Sequence, residues 1–168
     1  WQCGTIQIDF SLPERFKLEY IDEKGEVKRP VVIHRAIAGS LERFFAILVE
    51  HYAGAFPLWL SPVQVTVLPI SEKFLDYSQK IKKQLDESNI RNQIDLDNKS
   101  LGAKIRHSTL QKIPFMIIIG EKELEKSVGA NQDSPKMVSV RTREGKNLGM
   151  LDVNKFINQL KSQIENFS

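Results

Sequence analysis

The run PFMIIIG, Pro114 to Gly120, decides how the larger part of this chain is read. Five apolar residues stand side by side between a proline and a glycine, with no polar residue at alternate positions. A strand with one wet face alternates. An unbroken apolar run of this length belongs to a strand covered on both faces, the central position of a sheet flanked by helices.

The flanking sequence agrees. Upstream, VQVTVLPI (63–70) reads as a strand, Phe74, Tyr77, Ile81 and Leu85 recur at helical spacing, IRNQIDL (90–96) reads as a second strand, and LGAKIRHSTLQK (101–112) as a second helix. Downstream, KMVSVRTR (136–143) is a further strand reached through a polar loop. Asp152 then caps a last helix that turns Val153, Phe156, Ile157, Leu160 and Ile164 inward. Strand and helix in alternation predict an α/β unit with a mostly parallel, mixed sheet flanked by helices, with room for one antiparallel member after Gly120.

The first part of the chain follows a different plan. GAFPLWLSPVQ (54–64) is punctuated by prolines and is the candidate boundary, dividing the chain into residues 1–60 and 61–168. Before it, Gly4 to Phe10 alternates, with Thr5, Gln7 and Asp9 on one face and Ile6, Ile8 and Phe10 on the other. FKLEYIDEKGEVKRPVVIH (16–34) reads as a short strand, a Lys24-Gly25 turn and a second strand over Val31–His34, an antiparallel meander. Ser40 is a good N-cap for a helix striped by Leu41, Phe44, Phe45, Leu48 and Val49 and ending near Ala53-Gly54. The chain opens on strand-like alternation with no methionine, so the expectation is that it continues a longer chain on its N-terminal side.

Composition narrows the classes without choosing a function. Of the 168 residues 41% are hydrophobic and 27% charged, ordinary for a soluble globular protein. A net charge of +3 is compatible with a nucleic-acid partner and does not argue for one. Cys3 is the only cysteine, which excludes an intramolecular disulfide and a multi-cysteine zinc knuckle. No stretch has the length of an apolar span and the first residues do not form a signal peptide, so the expected setting is cytoplasmic or an organelle matrix, with no membrane partner.

Several residues can carry chemistry. His34 closes an apolar strand and is either a structural imidazole or a metal ligand; zinc needs three or four donors, and Cys3 is the only other obvious one nearby. Arg43 lies one turn into the helix after Gly39-Ser40, where free amides favour an anion and a guanidinium neutralises phosphate; pairing with Glu42 or solvent explains it equally well. In the second unit, Arg91, Lys99, Lys104, Arg106, His107, Lys112, Lys122, Lys136, Arg141, Arg143 and Lys146 supply charge suited either to a phosphate backbone or to a solvated face. Asn98, Glu123 and Arg141 have the amide, carboxylate and guanidinium groups that distinguish donors from acceptors on base edges.

WQCGTIQIDF (1–10), IHRAIAGSLERF (33–44), FPLWLSPVQV (56–65) and VRTREGKNLG (140–149), in this order, resemble the C-terminal part of the bacterial and organellar threonyl-tRNA synthetase family. The resemblance covers essentially the whole chain; the plan of its second unit is shared with the prolyl, histidyl and glycyl enzymes. It implies a C-terminal piece of a class II antiparallel catalytic sheet followed by an anticodon-binding domain, from an enzyme that activates threonine with ATP and Mg²⁺ and transfers it to tRNA(Thr). Residues Gly39 to Phe44 match the third class II motif, so the resemblance gives Arg43 the ATP phosphates as the catalytic arginine, with Gln2, Thr5, Gln7 and Ser40 lining the adenylate pocket. It makes His34 a ligand of Zn²⁺ whose companions, a cysteine and a second histidine, lie upstream, and it removes Cys3 from that role. It gives Asn98, Glu123 and Arg141 the anticodon bases, and it implies a homodimer whose usual dimer motif is not in this chain. The loop EKSVGANQDSPK (125–136) is longer than the family's, which bears on the placing of Glu123. Two other readings remain, a non-catalytic tRNA-binding accessory module and a prolyl-type enzyme.

Overall fold

The computed structural model describes residues 1–128 and 137–167. They form two compact units, Trp1–Tyr52 and Ala53–Ser168.

The first unit begins with β1 (Thr5–Asp9) and a one-turn helix α1 (Ser11–Arg15), started by the Asp9 carboxylate, which accepts the Ser11 and Leu12 amides at 2.8 and 3.0 Å. β2 (Tyr20–Ile21) and β3 (Val27–Lys28) pair across a turn in which Gly25 takes φ +81° and the Asp22 carboxylate accepts the amides of Lys24 and Glu26. This corrects the simple meander: the turn at Lys24-Gly25 is present, but it joins β2 to β3. β4 (Val32–Ala36) pairs antiparallel with β1, with Gln7 opposite His34 and Ile8 opposite Ile33. Pro30, which has no amide to donate, separates the two pairings. α2 (Leu41–Tyr52) closes the unit, ended by Ala53 and Gly54 in left-handed conformations.

The second unit is built on one five-stranded sheet of order β6-β5-β7-β8-β9. β5 (Val65–Pro69) leads through a 3-10 turn, Glu72–Phe74, into α3 (Leu75–Glu87); β6 (Asn92–Ile94) precedes α4 (Leu101–Leu110), and β7 (Phe115–Ile119) precedes α5 (Glu121–Val128). These three strands are parallel. β8 (Met137–Thr142) and β9 (Asn147–Asp152) add antiparallel strands, and α6 (Val153–Glu165) follows. Two antiparallel strands therefore follow Gly120 where the sequence pattern showed one. β9, NLGMLD, has a glycine at its centre and no clean alternation, so periodicity misses it.

The apolar run behaves as its lack of alternation requires. Ile117 and Ile119 point into a core with Val65, Val67, Val138 and Val140, closed by Ile81 and Leu85 of α3 and by Phe156 and Leu160 of α6. The rings of Phe115 and Phe156 meet edge to face at 5.5 Å. On the opposite face Thr66, Leu68 and Met116 are fully buried, and α4 packs against β5.

Residues 53–60 fold with the second unit, so the division falls at Tyr52 and not at residue 60. Phe56 and Leu58 are buried. The guanidinium of Arg91 donates to the carbonyls of Ser61 and Trp59 at 2.9 and 2.6 Å, and that of Arg143 to the carbonyl of Phe56 at 2.7 Å. Prolines at 57 and 62 marked an irregular segment correctly, but irregular backbone packs against a core when side chains satisfy its carbonyls.

Candidate functional site

In the first unit the β1–β4 register brings the polar candidates to one face. Thr5 lies opposite Ala36, Gln7 opposite His34 and Asp9 opposite Val32, so Thr5, Gln7, Asp9 and His34 project from the same side of the sheet. The His34 ring reaches across it: Nε2 lies 2.9 Å from Asp9 Oδ2. The Leu12 amide above all, and then His34, hold the Asp9 carboxyl below the usual carboxylate range, so it is ionised at neutral pH.

The corner that carries Ser40 is pressed against the start of the chain. Gly39 takes φ +64°, and a Cβ there would stand 3.3 Å from the Cys3 carbonyl oxygen and 3.8 Å from that of Gln2. Both facts favour glycine, which lets the backbone just before Ser40 lie close to the Gln2 and Cys3 carbonyls. Ser40 Oγ accepts the Arg43 amide at 3.3 Å and donates to Glu42 Oε2 at 2.8 Å, the N-cap expected from the sequence. The Glu42 carboxylate, held low by its own amide and by Ser40, partly covers the helix start that an anion would use. Arg43 does not pair with Glu42. It is exposed, and among the described residues its guanidinium has no hydrogen-bond or ion-pair partner.

A zinc ion needs more than this unit offers. His34 is half-exposed with a carboxylate on one ring nitrogen, the usual arrangement of a metal-bound imidazole. Among the described residues, however, no three His, Cys, Asp or Glu side chains gather as a ligand set. His34 fits as one donor to a site that other donors must complete.

In the second unit the candidates sit at different depths. Asn98 is exposed in the loop after β6, on the rim of a cleft at the C-terminal ends of β5 and β6 that also involves Ser71, Leu96 and Lys104. Glu123 is 6% exposed, in the first turn of α5. Its Oε2 accepts the Gly120 amide at 2.9 Å and its Oε1 accepts the Ser139 hydroxyl. Both carboxylate oxygens are thus engaged in holding the β7–α5 turn to β8. Arg141 lies two residues beyond Ser139 on the same face of β8, opposite Met116, where the pairing with β9 slips by a residue. Among the described residues its Nε is buried without a partner. Ser139 thus stands between Glu123 and Arg141; its only sequence signal was a polar residue between the buried Val138 and Val140.

The basic residues divide as well. Arg91 and Arg143 bind main-chain carbonyls, and Lys104 is 5% exposed, so these three are structural. Arg106, Lys122 and Lys146 are exposed and available to phosphate, whereas Lys99 is exposed but paired with the Asp97 carboxylate at 2.6 Å. Lys136 and the loop from 129 to 136 lie outside the described residues.

Comparison with known proteins matches the two units to two different family models. The anticodon binding domain model matches residues 64–163, more than half of the chain. The chain belongs to the anticodon-binding domain family. The model of the class II tRNA synthetase core domain (G, H, P, S and T) matches residues 1–52, the first compact unit. The chain is 51% identical to a threonine–tRNA ligase of Acetivibrio thermocellus over 99% of its own length and 25% of that protein's. It is 50% identical to that of Caldanaerobacter subterraneus subsp. tengcongensis over 98% of its length and 24% of that protein's. Among solved structures, the RNA binding domain of threonyl-tRNA synthetase from Cryptosporidium parvum Iowa II matches with a TM-score of 0.83 and 37% identity, covering 97% of this chain and 39% of that one. The chain spans about a quarter of the length of the curated relatives it matches.

Proposed function

We propose that this chain works as part of a threonine–tRNA ligase, supplying the ATP-facing third motif, one zinc ligand and the reading of the tRNA(Thr) anticodon. The observation that carries the reading is the joining, in one chain, of a class II core match over 1–52 and an anticodon-binding match over 64–163, with about half the residues identical to threonine–tRNA ligases from end to end. That run of identity favours a threonyl over a prolyl enzyme. The unpaired Arg43 and the N-capping Ser40 favour a catalytic corner over an accessory module.

In this reading Arg43 receives the phosphates of ATP, which enter with Mg²⁺, and steadies the charge that grows as the threonine carboxylate attacks the α-phosphate and the α–β bond breaks to release pyrophosphate. Thr5 and Gln7, on the same face as His34, offer a hydroxyl and an amide to the adenylate, with Gln2 and Ser40 at its edge. His34 holds zinc together with donors outside this chain, and Asp9 orients its ring. A zinc ion held there would act as a Lewis acid toward the amino and hydroxyl groups of threonine, a discrimination against valine, which has no hydroxyl. Asn98 and Arg141 face anticodon bases, while Glu123 acts through the frame it holds with Gly120 and Ser139. The complete enzyme is a homodimer of the cytoplasm or an organelle matrix.

Binding tests the anticodon half. The chain should bind an anticodon stem-loop of tRNA(Thr) about tenfold or more tighter than the same hairpin with changed anticodon bases, and both should weaken steeply with salt. Equal affinity for the two hairpins would remove base reading. The chain alone should give no threonine-dependent ATP–pyrophosphate exchange, since the other catalytic motifs and zinc donors come from elsewhere; exchange above background would overturn that division of labour.

A further inference from the structure

Lys104 is the buried charge that the proposed function leaves unused. Its ammonium donates to the carbonyls of Pro69 and Asp95, each at 3.2 Å. The parallel pairing of β5 and β6 explains why both carbonyls are free. Val65 donates to the Arg91 carbonyl and Asp95 donates to that of Val67, so the register calls next for residue 69 to donate to Asp95, and for residue 97 to donate to residue 69. Neither bond can form. Residue 69 is proline and has no N–H, and the Asp97 amide turns back to Asp95 Oδ1 at 2.9 Å. One ammonium therefore stands where two ladder hydrogen bonds would be. A buried carbonyl left unmatched is costly, and so is a buried ammonium without acceptors, so each secures the other.

The consequence falls on Asn98. With the ladder ended at Asp95, residues 95–100 leave the sheet: Lys99 donates to the Asp97 carbonyl, and Ser100 caps α4 by accepting the Ala103 amide. Asn98 stands at the crest of this turn, on the rim of the cleft that Lys104 underlies.

We propose that Lys104 is a positioning residue for anticodon reading: by replacing the last two β5–β6 hydrogen bonds it fixes the loop that presents Asn98 to a base. The inference rests on the proposed tRNA reading. It assigns Lys104 no contact with RNA.

The test compares this chain with its Lys104→Met variant, which keeps the aliphatic stem and removes the ammonium. The ratio of affinities for the matched and the changed hairpin should fall about tenfold, the worth of one lost base contact. Affinity for the changed hairpin and the salt slope should hold, because a buried lysine meets no phosphate. Amides of residues 95–100 should exchange faster with solvent, with or without RNA, while those of β7 keep their protection. Lys104→Met combined with Asn98→Ala should discriminate no worse than Asn98→Ala alone. An unchanged ratio would overturn the proposal, as would equal weakening for both hairpins with a shallower slope, the mark of a phosphate contact. Should Lys104→Met fail to fold, Lys104→Gln asks the same question, with a shorter neutral amide in place of the ammonium. Discrimination should then fall as well, and no change would sink the idea. If the unaltered chain binds both hairpins equally, the functional reading fails first; if it discriminates and the variants do too, only the role of Lys104 fails.

Discussion

Ile81 of α3 and Ile8 of β1 are the same side chain in opposite circumstances. Ile81 is fully buried among the strands and helices of the second unit; Ile8 is 63% exposed. The contrast runs through both units. Every residue of β5 is buried, whereas α2 has none that is, although its apolar stripe is as regular as that of α3. The second unit meets its apolar faces with its own elements. The first presents Ile6, Ile8, Ile33 and Leu41 to solvent, an apolar surface of the kind that marks an interface. An amphipathic pattern states that a face will be covered and leaves open what covers it.

The sharpest test of this comparison substitutes the two isoleucines in turn. Ile81→Ala should cost the second unit about 2–5 kcal/mol in urea unfolding, the transfer term plus a cavity in a closed core. Ile8→Ala should stay within about 0.5 kcal/mol, since its side chain is already largely in water. Similar losses at both sites would mean that the first face is covered in solution.

Glu123→Gln separates frame from recognition inside the second unit. A carboxamide keeps one acceptor oxygen for the Gly120 amide and turns the other position into a donor, so the Ser139 hydroxyl must reverse to accept and its own proton loses the charged partner. The expected loss is about 1–3 kcal/mol, read by thermal or urea unfolding. A neutral result would free Glu123 for direct contact with RNA.

Two glycines complete the series. Gly39→Ala places a side chain at φ +64° against the Cys3 carbonyl and should weaken the first unit by about 1 kcal/mol or more, visible as line broadening around Gln2 and Arg43 in NMR spectra. Gly102→Ala, in α4 with open space around the new methyl group, should raise the stability of the second unit by about 0.5–1 kcal/mol. A destabilising effect at Gly102 would show that α4 is not constrained as described.

Much of the fold was legible wherever burial and periodicity coincide. PFMIIIG announced a strand covered on both sides, the α3 and α6 stripes faced the core as spaced, and the caps at Ser40 and Asp152 lie where side-chain oxygens meet free amides. β9 was hidden by Gly149 and weak alternation, and the extra residues of the second unit by prolines that look like a linker. At the candidate sites the alternation of Thr5, Gln7 and Asp9 gave their common face at once. The engagement of Glu123 and the burial of Lys104 were invisible, because a carboxylate or an ammonium reads as a surface group until its partners are known.

By itself the sequence determined the covered strand at PFMIIIG, the inward stripes of α3 and α6, the polar face of β1 and the cap at Ser40, since these depend on neighbours a few residues away. Only the tertiary structure decided which charges are tools and which are parts of the frame. Lys104 answers a proline 35 positions earlier in the chain, and Glu123 answers a serine 16 positions later. Those partners are set by strand register, and register is a property of the folded sheet that no local pattern contains.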